Sequence, residues 1–510
     1  MNNPSRTSYD AIIIGAGVIG SAIAFELAKK GWKTLNVDKL PTAGYGSTSN
    51  SCAIVRAHYS TFDGVAMAYE GFSYWKDWSN YLDSEDERGH ALYIQSGTVL
   101  FMLEGGHHEK VLPLFDQVQV PYEILSNEEL RERYPFYEHG THGEPCRPED
   151  DRFWAEPEGE LIGALYTPES GYVSDPQLAS HNLQRAAEAK GGEFRFNVEV
   201  TDIRRSDGRV VGVTLADGTE TDAPVVVNVA GPHSFVINQM AGVYDSMNIK
   251  TKALRHEVHH VPSPAGIDFE KDGLHSSDSD LAIYVRPESG NNILIGSEDP
   301  ACDPQVWVDD PDDYDTVVSD EQWNAQVLRL ARRIPELGVP SEKKGIVDLY
   351  DVSDDWIPIY DRTDLDGFYV AIGSSGNQFK NAPVAAYCMA ELIEAVEGGH
   401  DHDADPLVVT GVYTGLEMDM GFYRRNREIN PNSSFSVNGC PLRPGDPATV
   451  QLALDSSTTT FRARRNSRRV CSSLRLSSSP GCSVSTGGSA SNSSRNARLI
   501  TPCIAYVQTM

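Results

Sequence analysis

Cysteine is scarce in this chain of 510 residues, and no two cysteines stand in the C-x-x-C spacing that is typical of zinc sites and dithiol redox centres. The sequence therefore indicates neither kind of site, and we predict no bound metal. We interpret the thiols as buried residues of a reducing compartment. The eight cysteines are Cys52, Cys146, Cys302, Cys388, Cys440, Cys471, Cys482 and Cys503.

Long hydrophobic runs are also absent. No apolar stretch approaches the ~20 residues that a membrane-spanning helix needs. The segment before Tyr9 is too short and too polar to be a signal peptide. We therefore expect a cytoplasmic protein without a transmembrane segment.

Basic residues are outnumbered by acidic ones. The chain has 43 Lys and Arg against 73 Asp and Glu, which gives a formal net charge of −30 at pH 7. Binding to nucleic acid requires a basic surface, so we expect no nucleic-acid partner. A charge of this size is compatible with a saline environment and with high solubility, and composition does not distinguish between the two.

The most informative motif lies near the N-terminus. An apolar strand is predicted at Ala11–Ile14; Gly15, Gly17 and Gly20 follow it in the spacing G-x-G-x-x-G and open a helix. Glycines at these positions allow a tight turn and a close approach of the backbone to a pyrophosphate, which the helix N-terminus attracts. Asp38 ends the next strand, where an acid can accept hydrogen bonds from a ribose. The motif predicts a dinucleotide site and leaves NAD and FAD open.

Later segments complete the predicted fold. A buried strand at residues 225–229 ends in Ala230 and Gly231, and a second glycine-rich loop, residues 373–380, lies between a strand and a helix. Residues 251–296 contain several short strands, which indicates an antiparallel sheet. We predict an α/β (α+β) protein with a Rossmann-like dinucleotide-binding domain and a second domain built on a mixed or antiparallel sheet.

Three polar segments allow more than one interpretation. Residues 41–51 are small and polar, and either contact a flat ligand or form an ordinary surface loop. Residues 400–405 are His and Asp rich, but no ordered spacing fixes a ligand geometry, so we interpret them as a solvated loop rather than a metal site. Of His259 and His260, at most one can face a site, because adjacent strand residues point to opposite faces.

The last part of the chain, residues 438–510, differs in composition from the rest. Ser and Arg dominate, Lys is absent, and residues 462–469 form a strongly basic run. This composition is typical of disorder. We hypothesise that the tail is not a domain and is translated from a wrong reading frame; the alternative is a basic interaction arm.

In this order and spacing, the motifs resemble the flavin-dependent D-amino-acid oxidase superfamily, in particular its branch of sarcosine oxidases and dimethylglycine dehydrogenases. The resemblance extends over roughly residues 9–437. It rests on residues 10–20, 46–51, 171–176, 226–231, 350–355 and 373–380. It implies a discontinuous FAD-binding domain, a substrate domain and a separate tail. The expected ranges are 1–93, 155–248 and 345–437 for the FAD-binding domain, 94–154 and 249–344 for the substrate domain, and 438–510 for the tail.

The resemblance also implies FAD rather than NAD and places residues around it. The three glycines of the first motif would face the pyrophosphate, Asp38 the ribose and Val200 the adenine. Residues 47–52 would lie along the isoalloxazine ring, and residues 373–380 over its far side. The expected cofactor-binding residues are Gly15, Gly17, Val18, Ile19, Gly20, Asp38, Lys39, Gly46, Ser47, Thr48, Asn50, Ser51, Cys52, Val200, Ala230, Gly231, Gly373, Gly376, Asn377, Gln378, Phe379 and Lys380.

The activity that the resemblance implies is oxidation of a secondary or tertiary amino acid at the carbon beside nitrogen, giving an imine that water hydrolyses. Arg56 and Lys380 would bind the substrate carboxylate, because Arg offers a planar fork and Lys a point charge. Tyr350 and Tyr284 would form walls of the site. Without the resemblance, each cation could instead pair with a structural acid, and each tyrosine could be a core aromatic.

The sequence departs from relatives at three positions. Asn50 stands where some relatives tether the flavin through His, and Asp348 stands near the Cys used by others, so we expect non-covalent FAD. Leu294 occupies the place of a Lys that speeds the reaction with oxygen in sarcosine oxidases. We therefore expect a slow oxidase, or a dehydrogenase that passes electrons to a protein or a quinone. A 2-hydroxy-acid dehydrogenase and a non-catalytic assembly factor remain alternative functions.

Overall fold

The structure, a computed structural model, describes residues 8–429. The tail hypothesis concerns residues 438–510, which lie outside the described residues. Among the helices of the described part, none is long and apolar enough to cross a membrane.

The strands are β1 (Ala11–Ile14), β2 (Thr34–Val37), β3 (Ile54–Val55), β4 (Tyr93–Ile94), β5 (Thr98–Met102), β6 (Glu123–Ser126), β7 (Gly140–Thr141), β8 (Gly159–Glu160), β9 (Gly163–Thr167), β10 (Gly171–Val173), β11 (Glu193–Arg195), β12 (Val200–Ser206), β13 (Arg209–Leu215), β14 (Glu220–Asp222), β15 (Val225–Asn228), β16 (Thr251–Pro262), β17 (His275–Asp278), β18 (Ile283–Glu288), β19 (Asn292–Ser297), β20 (Val306–Val308), β21 (Gly345–Ser353), β22 (Ile359–Arg362), β23 (Phe368–Ile372), β24 (Val408–Thr410) and β25 (Glu417–Asp419).

The α-helices are α1 (Val18–Lys29), α2 (Phe62–Lys76), α3 (Trp78–Leu82), α4 (His108–Val118), α5 (Asn127–Arg133), α6 (Pro176–Ala189), α7 (Ser234–Ala241), α8 (Phe269–Asp272), α9 (Asp320–Arg333) and α10 (Ala382–Glu397). Short 3-10 helices include Gly231–His233 and Phe379–Asn381.

A six-stranded sheet forms the first layer, in the order β11-β2-β1-β15-β23-β22. Neighbours from β11 to β23 run parallel, and β22 pairs antiparallel at the edge. The strands β1, β2, β15 and β23 are fully buried, as expected for parallel strands covered on both faces. Helices α1, α6 and α10 pack together on one side, and the meander β12-β13-β14 packs on the other. The predicted mixed α/β fold is confirmed.

A nine-stranded mixed sheet forms the second layer, in the order β20-β16-β19-β18-β17-β5-β9-β6, with β21 also paired to β16. Alternate residues of β5, β18 and β19 form an apolar core with α8 and α9 on one face of this sheet. The other face carries Tyr284 and Tyr350 and is turned toward the first layer.

Two strands belong to a different sheet from the one that the expected domain ranges imply. Strands β9 and β21 fall within ranges assigned above to the FAD-binding domain, yet both pair in the nine-stranded sheet. Their backbone hydrogen bonds join segments far apart in sequence, so local patterns did not reveal the partner strand.

The chain after β23 is tied back onto the six-stranded sheet by buried ion pairs. Arg425 contacts Asp361 at 2.9 Å and Asp403 at 3.0 Å, and Arg427 contacts Asp355 at 2.7 Å. His402 is fully buried. The expectation that residues 400–405 form a solvated loop is therefore wrong in part, because a long-range arginine draws this segment inward.

Candidate cofactor and substrate site

A cavity of about 580 Å³ lies at the carboxyl ends of the parallel strands β1, β2, β15 and β23. This edge is where parallel α/β sheets bind ligands, because loops diverge there and helix N-termini point inward. Residues of both glycine-rich loops line the cavity, together with Tyr284 and Tyr350 from the nine-stranded sheet.

The first glycine loop leaves no room for side chains. Gly15 has φ +111°, and a Cβ built there would lie 2.4 Å from the Val229 carbonyl oxygen. A Cβ on Gly20 would lie 2.2 Å from the Gly15 carbonyl oxygen. Gly17 caps α1 without a side-chain hydrogen bond of its own, and Ile19 and Gly20 of the first helical turn line the cavity, at a helix N-terminus of the kind that favours an anion.

Asp38 is held by two backbone amides at the end of β2. Its carboxylate accepts hydrogen bonds from Ala16 N at 2.7 Å and from Leu40 N at 2.8 Å. Burial raises the pKa of this carboxyl, and the two amide donors oppose that rise. Beside it, Lys39 Nζ contacts Asp312 at 2.5 Å and His233 Nε2 at 3.0 Å. These contacts join the β2 end to the loop after β20.

The small polar segment at residues 41–51 lies against the cavity rather than away from it. Asn50 Nδ2 donates to Asp348 Oδ2 at 2.5 Å, and Ser47 Oγ donates to the Leu349 carbonyl oxygen at 3.0 Å. Thr48 Oγ1 accepts a hydrogen bond from Val18 N at 3.1 Å. The segment therefore connects β21 to the start of α1 along the cavity wall.

The second glycine loop is attached to β21 through Asp351. The Asp351 carboxylate accepts a hydrogen bond from Gly373 N at 2.6 Å, and the Asp351 carbonyl oxygen accepts one from Ser375 N at 2.7 Å. A Cβ on Gly376 would lie 2.2 Å from the Tyr350 ring, so this position needs glycine. Burial raises the pKa of Asp351 to about 7.

Two buried cations line the same cavity. Arg56 directly follows β3, and its Nη1 donates to the His58 carbonyl oxygen at 2.8 Å. Lys380 Nζ donates to the Asn377 carbonyl oxygen at 2.5 Å and forms no ion pair within residues 8–429. The two charges lie 5.4 and 4.9 Å from the centre of the Tyr59 ring. Burial, and then the neighbouring Arg56, lower the pKa of Lys380.

Both predicted tyrosines line the cavity. The Tyr284 hydroxyl lies 3.7 Å from Cys52 Sγ, and the Tyr350 ring stacks on His256 with a centroid distance of 4.1 Å. Burial raises the pKa of both phenols. His256 Nε2 in turn contacts Asp299 at 3.0 Å. These contacts form a rigid aromatic wall on the sheet side of the cavity.

The structure brings together almost all residues that the sequence predicted for the site. Every predicted cofactor-binding and substrate-contacting residue lines the cavity except Gly373, which instead donates its amide to Asp351. The sequence prediction missed His256, which lies on the cavity face, whereas neither His259 nor His260 lines the cavity. The available signal for His256 was the alternation of side chains along β16. Alternation alone does not tell which face of the strand is turned toward the cavity, and only the pairing of β16 with β21 shows it.

Comparison with known proteins gives one family for this arrangement. The family model described as "DAO: FAD dependent oxidoreductase" matches residues 10–392, three quarters of the chain.

Two curated relatives match over most of their length. Sarcosine oxidase subunit beta of Rhodobacter capsulatus is 24% identical over 407 residues, covering 76% of this chain and 85% of that protein. Glycine oxidase of Geobacillus kaustophilus is 25% identical over 413 residues, covering 77% and 95%.

Solved structures show the same fold. L-proline dehydrogenase from P. horikoshii aligns with a TM-score of 0.63 at 20% identity, covering 78% of this chain and 95% of that one. Glycine oxidase from Geobacillus kaustophilus aligns with a TM-score of 0.61 at 22% identity, covering 78% and 98%.

Proposed function

Because this chain belongs to the DAO family of FAD-dependent oxidoreductases, we propose that it oxidises a carbon–nitrogen bond of an amino acid, with N-methylated or other secondary and tertiary amines as the preferred substrates. The single observation that carries the choice of substrate is the pair of buried cations, Arg56 and Lys380, on the cavity wall beside Tyr59. Two buried cations beside one aromatic ring make this part of the cavity wall positive, and a positive, water-poor wall favours an anionic ligand.

The cavity fits the FAD that the family binds. A pyrophosphate suits the helix N-terminus behind Gly17, where side chains on Gly15 and Gly20 would clash. FAD, when bound, supplies the electron acceptor for oxidation of the carbon beside nitrogen. The residues of this chain bind FAD and the amino acid and orient the two toward each other. We propose non-covalent binding, because Asn50 and Asp348, which hydrogen-bond to each other, are an amide and a carboxylate at the positions where some relatives carry the tethering His or Cys.

The substrate carboxylate is oriented by the two cations. Arg56 offers a planar pair of donors, and Lys380 adds a single charge. The tyrosine wall restricts water in the same region, since Tyr284 is buried and Tyr350 half-buried on the sheet side. A carboxylate fixed in this way holds the adjacent carbon and nitrogen in one orientation, which is the main contribution of protein to such a reaction.

For the electron acceptor, we propose a protein or a quinone rather than fast reduction of oxygen. Leu294 lies in β19, on the same side as Gly296, which is paired with Tyr284. An apolar side chain there provides no positive charge to stabilise reduced oxygen species.

Anaerobic reduction of the bound flavin tests the substrate class. We expect bleaching of the flavin absorbance by sarcosine, dimethylglycine or N-methyl amino acids, and none by the matching amines that lack a carboxylate. Bleaching by 2-hydroxy acids alone would favour the alcohol-oxidising alternative. Absence of bleaching by every compound would favour a non-catalytic flavoprotein.

Acid precipitation tests the mode of binding. We expect the yellow colour to remain in the supernatant, and colour in the precipitated protein would contradict non-covalent FAD.

Reoxidation of the reduced flavin compares the electron acceptors. We expect reoxidation by air to be slower than reoxidation by an artificial quinone.

A further inference from the structure

One connection of the nine-stranded sheet reaches across the cavity to the first layer. Residues 309–315, from here on called the strap, lie between β20 and α9. The far end of the strap is held within its own sheet, because Arg255 Nε of β16 donates to the Asp315 carbonyl oxygen at 2.7 Å. Three residues of the strap line the cavity: Pro311, Asp312 and Tyr314.

The middle of the strap is a tight turn that its own sequence favours. Asp313 N donates to the Asp310 carbonyl oxygen at 3.0 Å, and Asp312 N donates to Asp310 Oδ1 at 3.0 Å. Proline suits the second position of such a turn because its φ is fixed, and aspartate suits the first because its side chain binds a following amide. The turn therefore holds Asp312 at the tip of the strap.

Asp312 joins the strap to the opposite wall of the cavity. Its carboxylate lies 2.5 and 2.6 Å from Lys39 Nζ and 3.1 Å from His233 Nε2. Lys39 follows β2 and His233 ends the 3-10 helix after β15, so both belong to the first layer, and both line the cavity. Asp312, Lys39 and His233, from here on called the latch, thus connect the two walls.

The latch is the main polar attachment of the strap to the first layer. Within the described part of the chain, every ion pair between the strap and the first layer involves Asp312. The ion pair of Asp309 with Lys252 of β16, at 3.3 Å, stays within the nine-stranded sheet. Apolar contact is limited to a small cluster, against which Tyr314 and Phe235 of α7 both pack.

The latch lies at the end of the cavity that suits a dinucleotide. Lys39 directly follows Asp38, and His233 lies two residues after Gly231, and these two neighbours also line the cavity. The cofactor itself adds little attraction for the strap, because five of its seven residues are aspartate and FAD carries an anionic pyrophosphate. A long ligand that lies beneath a connection between two walls leaves sideways only when that connection opens.

We propose that the strap is a gate for FAD and that the latch sets the rate at which FAD enters and leaves the cavity. The gate opens when Asp312 separates from Lys39 and His233. Because the barrier is the same in both directions, the latch changes the association and dissociation rates by one factor and leaves the Kd for FAD nearly unchanged. The inference rests on FAD binding and does not depend on which substrate is oxidised.

The test is exchange of bound FAD in the full-length, FAD-loaded protein against an excess of radiolabelled FAD, which measures the dissociation rate. For Asp312→Asn we expect exchange about three- to fivefold faster than in the natural protein, as for the loss of a partly exposed ion pair. Equilibrium dialysis measures the Kd for FAD, which should stay nearly the same.

A matched control is Asp309→Asn, which removes the same charge from the same strap. Asp309 pairs with Lys252 and does not line the cavity. We expect this variant to exchange FAD at the natural rate. The comparison separates the latch from a general loss of negative charge near an anionic cofactor.

A second variant, Lys39→Met, removes the other side of the latch. We expect it to accelerate exchange by a similar factor. The double variant Lys39→Met/Asp312→Asn should exchange FAD no faster than the faster of the two single variants, because both substitutions break the same contact.

Three results would overturn the inference. Equal exchange rates in Asp312→Asn and Asp309→Asn would show that the latch does not limit exchange. A rise in Kd that matches the rise in exchange rate would show that these residues hold FAD by contact rather than as a gate. Additive effects of Lys39→Met and Asp312→Asn would show that the two residues act separately. Oxidation of amino acids is tested independently, by anaerobic reduction of the flavin.

Discussion

At the scale of single residues, burial gives the site its chemical character. Arg56 and Lys380 are both almost completely buried, and both charges lie close to the Tyr59 ring. The glycines have the opposite role, because they keep side chains out of the space that the cofactor needs.

Replacing Arg56 by Lys is expected to raise KM for a carboxylate substrate by roughly 10- to 100-fold, with a smaller effect on kcat. A charge-assisted hydrogen bond contributes about 1.5–3 kcal/mol, and Lys cannot reproduce the planar pair of donors. Steady-state kinetics with a quinone acceptor measures the effect. An unchanged KM would show that Arg56 does not contact the carboxylate.

Replacing Gly15 by Ala is expected to lower FAD affinity at least roughly tenfold, because the new Cβ meets the Val229 carbonyl oxygen and the backbone has φ +111°. Gly31→Ala is the matched control: φ is +86° there, and nothing within the described residues lies within 4 Å of the added Cβ. Flavin content after dialysis compares the two. Equal retention of FAD would contradict the steric argument.

At the scale of elements, the site depends on how β21 holds two loops at once. Asp348 and Leu349 accept hydrogen bonds from the small polar segment, and Asp351 binds the second glycine loop. The cavity wall is thus continuous from α1 to α10 through one strand of the nine-stranded sheet.

Relative to the natural protein, the Asp351→Asn variant is expected to become progressively more stable as pH rises from 5 to 7. Asp351 has a folded-state pKa raised to about 7, so the folded form holds a proton that the unfolded form has already lost above pH 4. In the natural protein, Asp351 therefore lowers the free energy of unfolding as pH rises to about 7, and above that pH its effect is constant. Asn keeps an acceptor for Gly373 N without titrating.

The difference in Tm between Asp351→Asn and the natural protein measures this effect, since other groups titrate equally in both. It should grow between pH 5 and 7 and then level off. A difference that is independent of pH would show that Asp351 is ionised in the folded protein.

At the scale of the whole molecule, charge is the dominant feature. The formal net charge is −30, and most acidic side chains are at the surface, whereas buried acids such as Asp278 and Asp303 are paired with arginines. Long-range repulsion between surface carboxylates opposes the compact state and is screened by salt.

We expect Tm to rise when NaCl is increased from 0.05 M to 1 M, where the screening length is about 3 Å. Differential scanning calorimetry at pH 7.5 measures the change. A lower pH that neutralises surface carboxylates should reduce the salt effect. A Tm that falls with salt would show that attractive surface pairs outweigh the repulsion.

Removal of residues 438–510 is expected to leave FAD content and turnover unchanged. The cavity and its hydrogen bonds are formed by residues before 429, and the family match ends at residue 392. Loss of flavin or activity in the shortened protein would favour a functional role for the tail.

The sequence by itself determined the features that arise within a short stretch of chain. The glycine spacing at Gly15, Gly17 and Gly20, the helix that follows it and the acid at Asp38 predicted the cofactor site, and the family match confirms FAD. These features are local, because backbone conformation and strand–turn–helix order are set by neighbouring residues.

Only the tertiary structure decided which distant residues share a surface. The pairing of β16 with β21 turns His256 and Tyr350 toward the cavity, and the pairing of β18 with β19 places Leu294 and Gly296 on the face of Tyr284. A shift of one residue in either register would exchange the two faces. The electrostatics of the cavity therefore depend on these registers, because charges act through space rather than along the chain.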